Sequence, residues 1–158
     1  TYEDFVTEYN KIYVARLVNH WNKVGFRSRW AGSSAGGCAN HRTWTDNPQY
    51  ELAVYERSTF AVSIQQKDPR QTGRKGVAMG IVILHSDAAG TKTRQYHAVE
   101  TSEISNLREL VIDEVTLEPG IYSIMPFTFE AGVEAEYFVS VYSESDFSLK
   151  SLDGETPV

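Results

Sequence analysis

The sequence predicts an all-β fold, an eight-stranded antiparallel β-sandwich with a short N-terminal helix. Short segments in which apolar and polar residues alternate run through most of the 158 residues. Turn sequences such as SDAAGT, LEPG and EAGVE separate these segments. Aromatic residues, which favour strands, make up 12% of the chain. Many short, evenly spaced strands with few helices are typical of an antiparallel sandwich.

The opening segment, TYEDFVTEYNKIY, predicts the helix. Thr1 followed by Asp4 approximates a capping box, and the apolar residues that come next fall near helical spacing. The overlapping segment IYVARLV has an extended pattern and predicts a lead-in strand. We therefore expect the helix and this strand in residues 1–20, the sandwich in 21–152 and a flexible polar tail in 153–158.

Eight further segments predict the strands of the sandwich. In chain order they are QYELAVYE, TFAVSIQ, VAMGIVIL, RQYHAVE, ELVIDEVTL, GIYSIMPF, AEYFVSVYS and FSLKSL. Most of them alternate apolar and polar residues, as a strand buried on one face does. The segment VAMGIVIL, residues 77–84, is apolar almost throughout and predicts a central strand.

Charge and composition exclude several classes of function. The net charge of −6 argues against a nucleic-acid partner, and no apolar run approaches the roughly 18 residues of a transmembrane segment. The chain starts at Thr1 without a signal-peptide pattern, which predicts a part of a longer protein. A single cysteine favours a reducing compartment, so we expect an intracellular, cytoplasmic protein, with the nucleus or endosomes as further locations.

The single cysteine lies in WAGSSAGGCANHRTWTDNPQ, residues 30–49, near a histidine and an asparagine. A papain-type site uses these three residue types, but its thiolate lies at a helix N-terminus and its other members come from distant segments. Here Cys38, His41 and Asn47 are close neighbours in a glycine-rich turn. We therefore predict no catalytic residue. Cys38 is instead expected to be a small buried side chain, with Gly36 and Gly37 allowing the tight turn.

Other residues of this stretch also have predicted structural roles. Asn40 and Asn47 are expected to hydrogen-bond to the loop backbone, and Pro48 is expected to stiffen the start of the next strand. Trp30 is predicted to pack the loop onto the core. No metal site is predicted, because the four histidines lack ligand spacing and one cysteine cannot build a structural zinc site.

A group of basic residues is the second candidate site. These residues fall in two loops, Lys67, Arg70, Arg74 and Lys75 in one, and Lys92 and Arg94 in the other. Near an anionic membrane each such charge contributes about 1 kcal/mol, so the group predicts binding of lipid headgroups or of an acidic partner. The alternative is an ordinary solvated hairpin loop.

Two stretches resemble calpain domain III, the C2-like β-sandwich that follows the protease core in calpains. In the first motif, residues 30–49, the matching residues are Trp30, Gly32, Ala35, Gly36, Gly37, Cys38, Asn40, Trp44, Asn47, Pro48 and Gln49. In the second motif, residues 120–143, they are Gly120, Ile121, Tyr122, Pro126, Phe127, Thr128 and Phe129, before the strand YFVSVYS. Tyr122 and Phe129 are predicted to be packing residues. The segments SIQQKDPRQ and YEDFVTEYNKIYVARL also resemble the family, so the match spans nearly the whole chain.

The resemblance implies a C2-like, non-catalytic regulatory and targeting module of a calpain-type cysteine endopeptidase. It implies docking on the protease core and neighbouring domains of the parent, and binding of anionic membrane lipid or a protein partner. An atypical, PalB-like parent would add endosomal-sorting proteins. C2 domains bind calcium on clustered aspartates, but YERST, residues 55–59, replaces the family's acidic loop, which makes calcium binding doubtful. No other cofactor is expected. The alternatives are a calcium-independent protein-interaction domain and a purely structural clamp.

Overall fold

The computed structural model describes residues 1–9, 20–68, 73 and 75–158. The predicted lead-in strand, Arg70 and Arg74 lie outside these residues. Within them the chain forms one α-helix, two short 3-10 turns and nine β-strands. The 3-10 turns, Gly32–Ser34 and Trp44–Asp46, both belong to the first motif.

The helix, α1, spans Tyr2–Glu8 and begins with the predicted capping box. The Asp4 amide donates to Thr1 Oγ1 over 3.3 Å, and the Thr1 hydroxyl donates to Asp4 Oδ2 over 2.9 Å. The predicted short N-terminal helix is confirmed.

The described residues form nine strands of the sandwich, one more than the eight that the sequence predicted. They are β1 (Asn22–Trp30), β2 (Tyr50–Val54), β3 (Ser58–Gln66), β4 (Met79–His85), β5 (Ala98–Thr101), β6 (Glu109–Leu117), β7 (Gly120–Thr128), β8 (Ala135–Ser143) and β9 (Phe147–Ser151). The eight predicted segments correspond to β2–β9. The missed strand is β1, whose sequence is NKVGFRSRW, because Ser28 interrupts the alternating apolar series of Val24, Phe26 and Trp30.

The strands form two antiparallel sheets, which confirms the predicted sandwich. The four-stranded sheet has the order β1–β8–β3–β6, and the five-stranded sheet has the order β5–β4–β7–β2–β9. The register brings apolar residues together across each sheet. In the four-stranded sheet, for example, Val139 of β8 lies opposite both Phe26 of β1 and Ile64 of β3.

The main apolar core lies between the two sheets. Its largest fully buried side chains include Trp30, Tyr50, Phe26 and Phe60. The rings of Phe26 and Tyr50 lie 5.0 Å apart, and those of Trp30 and Tyr137 lie 4.3 Å apart. Aromatic contacts at these distances add to the stabilisation that burial of the rings provides.

A second apolar cluster lies on the other side of the five-stranded sheet. It contains Cys38, Val82, Leu84, Met125 and Phe127, and Trp44 packs against it. Because side chains alternate along a strand, β4 and β7 contribute to this cluster with the face turned away from the main core. The continuous apolar run of β4 thus reflects burial on both faces, as predicted for a central strand.

Candidate functional site

Cys38 is a structural residue of the second apolar cluster. Its side chain is only 5% exposed and packs among the residues of β4 and β7. The neighbouring His41 ring is engaged elsewhere, with Nε2 3.1 Å from the Phe129 carbonyl oxygen and 3.6 Å from Glu130. A nucleophilic thiol needs access and an adjacent base. The surroundings of Cys38 therefore do not form a thiol protease site.

Gly36 and Gly37 allow the first motif to approach neighbouring backbone closely. A Cβ atom on Gly36 would lie 2.2 Å from the Thr43 carbonyl oxygen. Gly37 has a φ of +77°, and a Cβ atom there would lie 2.7 Å from the Ala131 backbone nitrogen. Only glycine fits both positions without displacing the backbone.

Asn47 holds the turn closed through three hydrogen bonds. Its side-chain oxygen accepts from the Gly36 amide over 3.1 Å. Its side-chain nitrogen donates to the carbonyl oxygens of Gly37 and Trp44, each over 2.8 Å. Asn47 is fully buried and the adjacent Pro48 is also buried, whereas Asn40 is exposed. These contacts agree with the backbone role predicted for Asn47.

The first and second motifs bind to each other. The Trp30 indole donates to the Pro126 carbonyl oxygen over 3.2 Å, and the Cys38 amide donates to the Phe129 carbonyl oxygen over 3.3 Å. Tyr122 is buried, and its hydroxyl donates to the Glu118 carbonyl oxygen over 3.0 Å. Phe129 is 41% exposed, and the packing role predicted for its ring stays a prediction. Its observed contribution to the contact between the two motifs is its backbone carbonyl oxygen, which accepts from the Cys38 amide. The type of a side chain does not reveal such a backbone contact.

Gln49 connects the first motif to the loop between β4 and β5. The fully buried Gln49 exchanges hydrogen bonds with the Thr93 backbone, donating over 3.1 Å and accepting over 2.8 Å. Its oxygen also accepts from the Ser123 hydroxyl over 2.9 Å. A buried amide with these partners is well satisfied. Gln49 therefore fixes a loop that carries Lys92 and Arg94.

The structure separates the predicted basic residues. Lys67 and Lys75 line a groove of about 540 Å³ where β1 and β3 end and β8 begins. Lys67 Nζ lies 2.5 Å from Glu136 in this groove, so part of its charge is neutralised. The hydrogen bond and charge of Lys67 lower the pKa of Glu136, and the charges of Arg27 and Arg29 add to the effect.

Lys92 and Arg94 have different surroundings. Lys92 Nζ lies 2.5 Å from Asp153 Oδ1 and donates to the Asn47 carbonyl oxygen over 3.0 Å. The Arg94 backbone amide donates to Asp87 over 3.0 Å. Lys92 therefore ties the first motif to the C-terminal segment rather than joining Lys67 and Lys75.

Arg27 and Arg29 are basic residues that the sequence analysis missed. Arg29 lines the groove of Lys67 and Lys75, and both arginines line a second groove that adjoins it. The alternation of Arg27, Ser28 and Arg29 was the available signal, since alternate residues of a strand share a face. It was overlooked because β1 was not predicted to be a strand.

The described residues contain neither a metal-binding cluster nor a membrane-spanning helix. No group of three or more histidine, cysteine, aspartate or glutamate side chains could hold a metal ion. None of the described helices has the length and apolarity needed to cross a bilayer.

The side chains of α1 form an apolar surface. Tyr2, Phe5, Val6 and Tyr9 are between 40% and 79% exposed. The rings of Phe5 and Tyr9, one helical turn apart, stack with their centres 5.1 Å apart. This surface, called the α1 surface below, contrasts with the closed apolar clusters of the sandwich.

Comparisons with known proteins identify the family. The family model described as calpain large subunit, domain III, matches residues 26–142, and the chain therefore belongs to this family. Calpain-9 of Rattus norvegicus is 33% identical over 96% of this chain, and Calpain-9 of Homo sapiens is 28% identical over 99% of it. Serine/threonine-protein kinase 4 homolog B of Dictyostelium discoideum is 35% identical over 74% of this chain.

The chain spans only part of these relatives. It covers 26% of the length of either Calpain-9 and 11% of the length of the kinase homologue. The domain is thus a non-catalytic component that occurs in relatives named as calpains and in one named as a protein kinase.

Proposed function

We propose that the chain is a regulatory domain that docks on a neighbouring domain of a calpain-type parent protein. The observation that carries the proposal is the α1 surface, formed by Tyr2, Phe5, Val6 and Tyr9, each at least 40% exposed. Apolar side chains gathered on one element mark interaction surfaces. The apolar clusters of the sandwich are already closed, whereas the α1 surface gathers exposed apolar side chains that a partner could cover.

The occupant of the α1 surface is another domain of the same polypeptide. The match with human Calpain-9 covers 99% of this chain, so it includes α1, and it leaves about three quarters of that relative outside the match. A neighbour in the same polypeptide has a high effective concentration, so a small apolar contact suffices to hold it. Such docking couples the domain to activity when a ligand favours one domain arrangement over another.

Hydrogen exchange on the parent protein and on the 158-residue chain tests this docking. We expect the amides of residues 1–9 to be protected in the parent and to exchange quickly in the isolated chain. Phe5→Glu should remove that protection, because it places a charge in an apolar contact. The matched control is Leu107→Glu, which alters an exposed apolar residue of the β5–β6 loop. Equal exchange of residues 1–9 in the parent and in the isolated chain would refute the docking proposal.

The parent activity that we infer is that of a cysteine endopeptidase. This inference is supported by the share of the chain that each relative matches. Calpain relatives match almost the whole chain, whereas the kinase homologue matches 74% of it. The catalytic residues then lie in the parent outside this domain. The purified parent should cleave a protein substrate and lose that activity on thiol alkylation. Phosphoryl transfer without cleavage would favour a kinase parent instead.

Binding of anionic lipid is a second candidate function. Arg27, Arg29, Lys67 and Lys75 line two adjoining grooves and could face a membrane together. Each contributes about 1 kcal/mol near an anionic surface, reduced for Lys67 by its contact with Glu136. A PalB-like parent would bring this surface to endosomal membranes and to their sorting proteins.

Co-sedimentation with anionic vesicles, with calcium or with chelator and at two salt concentrations, tests the lipid proposal. We expect binding that survives the chelator and weakens as salt screens the charges. The double variant Arg27→Glu, Lys75→Glu should abolish it, while Lys150→Glu, an exposed change on β9, should not. Sedimentation that the double variant leaves unchanged would rule out this surface. Binding only with calcium would instead require a calcium site.

A further inference from the structure

The C-terminal segment, residues 152–158, follows β9. Its first residues contact Gln49 of the first motif. The Leu152 amide donates to the Gln49 carbonyl oxygen over 2.9 Å, and the Gln49 amide donates to Asp153 Oδ2 over 3.0 Å. Asp153 also pairs with Lys92 over 2.5 Å. These contacts direct the segment toward β1, the outer strand of the four-stranded sheet.

Glu155 then bridges the outer strands of the two sheets. One carboxylate oxygen accepts a hydrogen bond from the Ser28 hydroxyl of β1, and the other accepts from the Ser151 hydroxyl of β9 over 2.5 Å. Nearby, the hydroxyls of Tyr50 and Tyr137 are 2.9 Å apart in the core. Burial raises the pKa of both tyrosines, and the nearby negative charge of Glu155 raises both further. The carboxylate therefore sits in a notch lined by hydroxyl groups.

The end of the segment contacts the backbone of β1. The Val158 amide donates to the Gly25 carbonyl oxygen over 2.9 Å. Glu155 lies beside Ser28, and Val158 lies beside Gly25. Three residues forward along the C-terminal segment therefore correspond to three residues backward along β1. This matched spacing is that of an antiparallel strand pair.

Further backbone groups of β1 point toward the same outer edge as the Gly25 carbonyl. Among the strands that the structure describes, β1 pairs with β8 alone and is the first of its sheet. Backbone groups of alternate residues point to the same side of a strand, so the amides and carbonyls of Lys23, Arg27 and Arg29 share the direction of the Gly25 carbonyl. A row of this kind is a template for an added strand.

We propose that the outer edge of β1 is a strand-addition site for an extended acidic peptide segment, and that residues 155–158 occupy it in cis. The incoming segment runs antiparallel to β1, donates an amide to the Gly25 carbonyl and places a carboxylate in the notch of Ser28 and Ser151. Main-chain hydrogen bonds provide affinity in such complexes, and side-chain pockets provide specificity.

Charge supports an acidic occupant. The groove beside this edge, of about 760 Å³, is lined by Arg27, Arg29 and Lys67 as well as by Glu136 and Glu155. Glu155 belongs to the cis segment, so its displacement leaves three cations facing one acidic residue. A segment with one carboxylate in the notch and another near the arginines restores the balance of charge.

The test is a titration of the full 158-residue chain with a fluorescent peptide of residues 152–158, followed by anisotropy. The cis segment competes with the peptide for the site. If the site is free less than a tenth of the time, the chain binds the peptide at least about tenfold more weakly than a chain whose site is always free. Glu155→Ala in the chain should therefore tighten peptide binding at least about tenfold. Glu144→Ala, which removes an exposed carboxylate of the β8–β9 loop, is the matched control and should leave binding unchanged.

A second pair of reagents keeps the proposal falsifiable if Glu155→Ala alters folding. Val158→Pro removes the amide donor to Gly25 and should also tighten binding of the unmodified peptide. A peptide with alanine at the position of Glu155 should bind to every chain at least about tenfold more weakly, because it cannot fill the notch. Equal binding of both peptides, or no gain in either chain variant over the Glu144→Ala control, would overturn the proposal.

Discussion

Ile83 and Leu84 are neighbours on β4, yet they lie in two differently built apolar clusters. Ile83 faces the main core, which the two sheets close between them. Leu84 faces outward into the cluster with Cys38, which the loop of the first motif covers. The main core needs only alternating strands, whereas the second cluster needs a loop of fixed shape. The difference predicts that burial of the second cluster depends on the polar contacts that hold this loop.

The largest expected effect comes from truncating each of these neighbours. Both Ile83 and Leu84 are fully buried, so replacement by alanine should cost about 2–5 kcal/mol in the free energy of unfolding in either case. Urea denaturation of the two variants measures the comparison. A cost below about 1 kcal/mol for Leu84→Ala would mean that the loop does not seal the second cluster.

Asn47→Ala should open the second cluster without touching an apolar residue. It leaves the buried Gly36 amide without its acceptor and frees the carbonyls of Gly37 and Trp44, so we expect a loss of about 2–3 kcal/mol. The control is Asn40→Ala, which alters an exposed residue of the same loop and should change stability by at most about 0.5 kcal/mol. Equal effects of the two substitutions would contradict the role assigned to Asn47.

The main core should respond to high pH through Tyr50 and Tyr137. Burial raises the pKa of both above the ordinary value of 10.0, so the folded chain keeps protons that the unfolded chain releases. Their stabilising contribution is complete below about pH 10 and is lost as pH rises above it, by about 1.4 kcal/mol per pH unit for each tyrosine. The free energy of unfolding, measured by urea denaturation at several pH values between 9 and 11, gives this slope. Tyr50→Phe should reduce it by one tyrosine's share, and an unchanged slope would contradict the prediction.

The smallest effect concerns Cys38 itself. Cys38→Ala removes one buried sulfur atom and should cost about 1 kcal/mol. The same burial should make the thiol of the unmodified chain react with a maleimide only as fast as the second cluster opens. Asn47→Ala should therefore accelerate labelling, while Ile83→Ala should do so only to the extent that it raises global unfolding. Rapid labelling of the unmodified chain would contradict the burial of Cys38.

Sequence periodicity identified most of the strands but not all of them. Strands β2–β9 correspond to predicted segments, and each of them except the largely exposed β5 has a mostly apolar buried face. β1 escaped prediction because Ser28 occupies one of its inward positions and contacts Glu155 of the C-terminal segment. The distant segment thus supplies the partner of this polar side chain. The predicted flexibility of residues 153–158 stays a prediction, although these residues have specific contacts with both outer strands.

The sequence by itself determined the fold class, the capped N-terminal helix, the family and the structural nature of the first motif. Alternation, turn residues and a motif with glycines and asparagine at fixed positions are local properties, so they can be read directly along the chain. Only the tertiary structure decided that Lys67 pairs with Glu136, that Lys92 joins the first motif, and that Phe129 acts through its carbonyl. These outcomes depend on which distant residues meet, and a single sequence does not encode such distances in any local pattern.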